Sequence, residues 1–197
     1  MMKYYFQTSF YLVIITIFLT CGKEQKTTED ERIGESLQAF QTFQKDLQTT
    51  LKNAVAKGGA HGAVSLCKIQ SPQMEAKVSK GSISVKRVAL KIRNPEHAPD
   101  AWERSVLYKW KAKIDQRQQI TIATLETPEG NMRVMQPIFI KNGLCLQCHG
   151  NQQQIQPATK EILQRLYPQD TAVGYKMNEL RGAFSAVWTK KVEAGKK

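Results

Sequence analysis

The sequence predicts an α+β domain in which helices pack on an antiparallel sheet, introduced by a long N-terminal helix. Three observations point there. An apolar stripe of helical period runs from Ile33 to Val55. Two strand-like segments meet at Thr127-Pro128-Glu129-Gly130, a good hairpin turn. Helices and strands also follow one another without the alternation that builds a parallel sheet. At 197 residues there is room for one sizeable core. Hydrophobic residues at 41% and charged residues at 23% exclude both a polytopic membrane protein and a wholly disordered chain.

Residues 1–20 carry one basic residue, Lys3, ahead of the apolar run from Tyr11 to Leu19. The run falls short of the roughly 20 apolar residues a spanning helix needs. Its charged start and apolar middle are those of a secretory signal. Phe18-Leu19-Thr20-Cys21-Gly22 resembles a bacterial lipoprotein signal, in which Cys21 becomes the acylated first residue; Phe18 and Thr20 depart from the usual leucine and small residue. An ordinary cleaved signal and an uncleaved anchor are the alternatives. The expectation is an exported chain on a periplasmic or other extracytoplasmic face, held to membrane lipid through Cys21. Gly22, in place of an aspartate, favours the outer membrane.

The polar stretch Gly22 to Arg32 has no hydrophobic period and reads as a tether. Residues 33–192 form the expected domain, with 193–197 a basic tail. Ile33, Leu37, Phe40, Leu47, Leu51 and Val55 give the first helix, which Gly58-Gly59 stops. A second helix covers about 60–69, with Val64 and Cys67 on one face, until Pro72 limits or restarts it. Ile83, Val85, Val88, Leu90 and Ile92 read as a strand whose alternation shifts near Arg87, as at a bulge. After the proline-punctuated loop Arg93 to Asp100, Asp100 can cap a helix with Trp102, Val106, Trp110 and Ile114 on its core face. Strands at 119–125 and 132–140 flank the hairpin turn. A helix around 159–166 and a strand within 183–192 complete the chain.

The formal net charge of +12 becomes +11 once residues 1–20 are removed, since they hold one lysine and no acid. Such a balance favours anionic partners: a lipid surface, an acidic redox protein or nucleic acid. Export argues against nucleic acid, and no aromatic-plus-arginine nucleic-acid motif is present.

Cys145-Leu146-Gln147-Cys148-His149 is the attachment sequence for one covalent haem c. Two thiols two residues apart on a helical turn can reach the two vinyl groups, and the adjacent imidazole can reach the iron. A thioredoxin-like Cys-x-x-Cys would want a βαβ setting, and a zinc site would need further ligands. For the sixth position on iron the candidates are His61, His97, Met74, Met132, Met135, Met177, Cys67 or nothing.

An ordered string of further motifs carries a resemblance. Ala63-Val64-Ser65-Leu66-Cys67, Arg87 leading into Arg93-Asn94-Pro95, and Ala98-Pro99-Asp100-Ala101-Trp102-Glu103 come first. Met135-Gln136-Pro137-Ile138, the Cys145 to Gly150 segment, Tyr167 to Tyr175 and Arg181-Gly182-Ala183 follow. Together they resemble the bacterial c-type haem family with a PAS-like fold, whose members stand alone or serve as extracytoplasmic sensor domains of signalling kinases. The resemblance covers about residues 33–192. It implies iron held by His149 and by the thiolate of Cys67, and hence a low potential. His97 stands where the family usually has asparagine, and Val88-Ala89 replaces its hydroxyl residues.

Arg87 and Arg93 are candidates for pairing with haem propionates, ordinary strand-end ion pairs being the alternative. The expected function is one-electron transfer or redox sensing, with an unidentified, acidic redox partner and no enzymatic activity. The competing class is a haem enzyme of peroxidase type or a diatomic-gas binder, with an open sixth position and His97 or His61 with Arg93 as distal groups.

Overall fold

The computed structural model describes residues 28–190. The signal segment, Cys21 and the basic tail from residue 191 lie outside the described residues. The α+β, PAS-like architecture is the one found. Four strands, β1 (Ile83–Val88), β2 (Ala123–Glu126), β3 (Met132–Phe139) and β4 (Leu180–Trp188), form one antiparallel sheet in the order β1-β4-β3-β2. Around it lie α1 (Glu29–Val78), α2 (Ala101–Asp115), α3 (Gly143–His149) and α4 (Pro157–Leu166). No helix among the described residues is long and apolar enough to cross a membrane.

The helix α1 begins at Glu29, inside the stretch expected to be tether. Thr28 accepts from the Glu31 amide, and the Glu31 carboxylate accepts from the Thr28 amide, a capping box that apolar periodicity does not reveal. Gly58 and Gly59 interrupt the helix as expected: Gly59 adopts φ 65° and ψ −178°, a region open essentially to glycine. The helix then runs through Pro72 to Val78 rather than ending near it. A proline in a helix interior costs about 3 kcal/mol relative to alanine. Packing of Met74 and Val78 against the sheet core, and anchoring of Ser71 and Glu75 by Arg87, offset that cost.

Both faces of the sheet are covered. Phe40 and Phe43 of α1 pack with Val85, Met132, Val134, Phe184, Ala186 and Trp188 on one face. Val106, Leu107 and Trp110 of α2 pack with Val88, Met135 and Ala183 on the other. This corrects the expected bulge near Arg87: β1 pairs with β4 in unbroken register from Ile83↔Trp188 to Val88↔Ala183. Val85 and Val88 point to opposite faces because each face has its own helix, so alternation changes without a register shift. The strand ends at Val88, four residues early, where the Ala89 amide turns to the His97 carbonyl at 3.2 Å.

Asp100 caps α2 as expected, with Glu103 completing a capping box. Trp102, Val106 and Trp110 serve the core. Glu103, fully buried, accepts from Ser185 at 2.7 Å and pairs with Arg133 and Lys86 at 3.2 Å each, tying α2 to the sheet. The hairpin closes at Thr127–Gly130, though β2 is shorter than expected. The final strand runs Leu180–Trp188 rather than within 183–192, with a bulge opposite Ile138 and Phe139 in β3.

Candidate functional site

The second half of the α1 stripe leaves the sheet and walls a cleft. Leu47, Leu51 and Val55 before the glycine break, and Ala63, Val64 and Cys67 after it, form one side. Leu144, Cys145, Cys148 and His149 of α3 form the facing side, with Tyr167 beyond the end of α4 and Arg87, Arg93, His97 and Arg181 from the sheet edge and its loops. The enclosed space is about 170 Å³, and about 910 Å³ with the open mouth included.

The attachment-type motif sits on α3 for local reasons. Asn142 accepts from the Cys145 amide and caps the helix start. At the other end the Gly150 amide donates to Leu146 at 2.9 Å. A Cβ at Gly150 would lie 2.5 Å from the Leu146 oxygen, so only glycine closes the helix this tightly. Beyond it the chain returns alongside the motif: Gly174 donates to Gly150 and Tyr175 to His149 through backbone bonds of 2.8 and 2.9 Å.

This returning segment holds the imidazole. His149 Nδ1 lies 2.7 Å from the Ala172 carbonyl oxygen. A carbonyl only accepts, so Nδ1 carries the proton and Nε2 keeps its lone pair, as in a metal-ligating histidine. Burial, joined by the charges of Arg181 and Arg93, pushes its pKa well below the usual value and keeps the ring neutral. Burial raises the pKa of Cys67 while Arg87 and Arg93 oppose it, and the Cys148 thiol is also raised by burial.

Cys67, Cys145, Cys148 and His149 therefore share one cleft, and Arg87 and Arg93 border it. Paired thiols on one helix turn, a neutral imidazole with a free Nε2 and a third thiol on the opposite wall are donors that fit a covalently attached haem. Of the other sixth-ligand candidates only His97 lines the cleft, with its Nε2 3.0 Å from Glu75 Oε1. His61 is exposed and off the cleft wall; Met132 and Met135 are in the sheet core, Met74 packs beside it and Met177 is exposed. Among the described residues no three His, Cys, Asp or Glu side chains converge as a metal cage, the arrangement a zinc site requires. The sheet is wholly antiparallel, which removes the βαβ setting of a thioredoxin-like motif.

Both arginines carry strand-end ion pairs. Arg87 pairs with Glu75 at 3.4 Å, donates to Ser71 and lies over the Phe43 ring. Arg93 pairs with Asp170 at 2.9 Å and donates to the Cys148 carbonyl at 2.6 Å. Burial works against ionisation of Glu75, but His97 and Arg87 outweigh it and hold its pKa below the usual value. Sequence reasoning assigned no role to Asp170, Ala172 or Arg181. The contributions of Ala172 are backbone groups, which side-chain identity does not signal.

The fold and sequence have counterparts. No curated protein matches this chain. The crystal structure of the cyanobacterial heme-protein Tll0287 superposes with a TM-score of 0.65 at 22% identity, covering 85% of this chain and 100% of that one. The model of the Tll0287-like family matches residues 22–188. The chain belongs to the Tll0287-like family.

Proposed function

We propose that this protein is a haem-binding, extracytoplasmic c-type cytochrome with one haem, working in one-electron transfer or redox sensing. The observation that carries the reading is the shared cleft of Cys145, Cys148, His149 and Cys67, with His149 Nδ1 engaged by Ala172. Thioether bonds at Cys145 and Cys148 would hold the cofactor in a cleft too open to retain it by enclosure. His149 Nε2 and the Cys67 sulfur, which line the same cleft, are the donors that would hold the iron. The haem supplies the one-electron couple. A thiolate ligand would favour ferric iron and a low potential, and metal binding would remove the proton that burial otherwise favours on Cys67.

Acylated Cys21 would tether the domain to a membrane, the outer one by preference, and the formal charge of +11 left after removal of residues 1–20 suits an acidic redox partner. Arg87 and Arg93 border the cleft and each keep Nη1 free of protein hydrogen bonds among the described residues, which supports contact with haem propionates. A peroxidase-like or gas-binding activity would need an open position beside His97. The placement of Cys67 in the cleft argues for a filled one.

The test is the absorption spectrum of both oxidation states, with and without carbon monoxide, on wild type and Cys67→Ala, together with the mass of the denatured chain. A covalent haem, a low-spin ferric spectrum in wild type and a changed spectrum with ready carbon monoxide binding in Cys67→Ala are expected. A spectrum unchanged by Cys67→Ala would remove Cys67 from the iron, and rapid peroxide turnover by wild type would reverse the non-enzymatic reading.

A further inference from the structure

Three arginines border the cleft, and two of them have carboxylate partners: Arg87 with Glu75 and Arg93 with Asp170. Arg181 differs. It sits at the second position of β4, and among the described residues no carboxylate lies within 4.0 Å of its guanidinium. Its Nη1 donates to the Lys91 carbonyl at 3.1 Å, and its guanidinium carbon lies 5.3 Å from the centroid of the Tyr175 ring. The residue reaches solvent only in part, and burial is the main cause that lowers its pKa to about 10, with Arg93 and Arg87 adding repulsion against the pull of Tyr175 and the weaker, longer-range pull of Asp170. It is still charged at neutral pH.

A desolvated cation beside two others is costly unless an anion faces it. One backbone carbonyl and Tyr175, which meets the guanidinium with its ring face and with its hydroxyl, still leave donors of the five-donor fork unused. A planar guanidinium is shaped to take a carboxylate through two parallel hydrogen bonds. The Cys67 thiolate is a poorer match, because Arg87 and Arg93 are the charges acting on Cys67, whereas Arg181 acts first among charges on His149.

We propose that Arg181 is the seat for a carboxylate of the bound cofactor, on the His149 side of the cleft. This rests on the haem reading given above, since the macrocycle supplies the carboxylate. Arg181 then has two effects: it fixes the orientation of the cofactor, and it offsets a propionate charge that would otherwise favour ferric iron.

The experiment uses the haem-loaded full chain as wild type, Arg181→Gln and Arg181→Lys, read by the propionate bending band in resonance Raman spectra and by redox titration. In Arg181→Gln the band moves to lower frequency as the hydrogen bonds are lost. The ferrous-to-ferric ratio at a fixed applied potential falls by about tenfold, equivalent to about 59 mV for one electron. Arg181→Lys keeps the charge but loses the fork, so the band shifts while most of the potential is retained. Where Arg181→Gln yields no folded holoprotein, the lysine variant decides by its band alone. An unmoved band in a haem-loaded variant overturns the proposal, including the case in which the potential moves without it, since the charge then acts through His149. A wild-type chain that carries no haem overturns the haem reading and this one together.

Discussion

Arg93 and Asp170, 77 residues apart in sequence, form an ion pair of 2.9 Å behind the cysteine motif. The pair is the knot of a small network. Arg93 Nη2 donates to the Cys148 carbonyl at 2.6 Å and more weakly to the Ala172 carbonyl at 3.4 Å. Asp170 accepts from the Ala172 amide at 2.7 Å. The carbonyl that orients His149 is therefore positioned by the same arginine that braces the helix bearing Cys148.

Replacing Arg93 by leucine leaves Asp170, whose side chain is 9% exposed, without its cation. Breaking such a pair by removing one partner costs about 3 kcal/mol. Arg93→Leu is expected to lower the urea midpoint well below that of Arg93→Leu/Asp170→Leu, in which neither charge is stranded. Equal midpoints for the single and double variants would mean that the pair is not coupled.

Gly59 predicts a second effect. A side chain there meets a backbone region closed to other residues, and its Cβ would lie 3.2 Å from His61 Nδ1. Gly59→Ala should destabilise the protein by about 2 kcal/mol, the order of a strained φ/ψ position, while Gly58→Ala, with open space at its Cβ and a negative φ, costs less. Thermal unfolding of the two variants side by side checks the ranking, and the reverse order would exclude backbone strain as the cause.

Asp100 gives a dependence on acid. Burial, the largest single cause, raises its pKa, but the hydrogen bond and charge of Arg133, the Glu103 amide and Lys86 together outweigh it, and the net result is a value below the ordinary one. Its ionised form therefore stabilises the fold above the unfolded pKa, about 3.9, and that contribution is lost as pH falls through the lower folded value. Asp100→Ala should cost about 1 kcal/mol at pH 7 as a lost helix cap. Denaturation at pH 7, 5 and 3 should show the gap from wild type narrowing only at the most acidic point; a gap that widens on acidification contradicts the assignment.

His97 separates the two candidate ligands in the cleft. Its Nε2 is engaged by Glu75 at 3.0 Å, so His97→Gln should leave the ferric spectrum of the haem-loaded protein low-spin and little changed. A conversion to high spin on this substitution alone would move the sixth ligand from Cys67 to His97.

Much of the fold is legible along the chain because local rules govern it. The α1 stripe, the glycine break, the Asp100 cap and the Thr127–Gly130 turn each depend on residues within a few positions of one another. Apart from the start of α1, which a local capping box sets, the main errors fall where a distant element intervenes. Val85 and Val88 mimic a bulge because α1 and α2 cover opposite faces of β1. Pro72 stays helical because Arg87 and the sheet core hold the turns around it. At the site, Cys145, Cys148 and His149 declare themselves by spacing. Cys67 shows no chemistry in its own stretch of sequence, and the role proposed for it enters through resemblance.

By itself the sequence determined that helices cover an antiparallel sheet, and that two cysteines and a histidine share one helical turn; these follow from periodicity and spacing within single elements. Only the tertiary structure decided that Cys67 shares a cleft with that turn, that the Ala172 carbonyl holds His149, and that Arg181 lies half-buried with no carboxylate in ion-pair reach while Arg87 and Arg93 have theirs. The physical reason is common to all three. Each depends on atoms far apart in sequence, among them backbone carbonyls, whose meeting is set by how the folded elements pack and not by the identity of any one side chain.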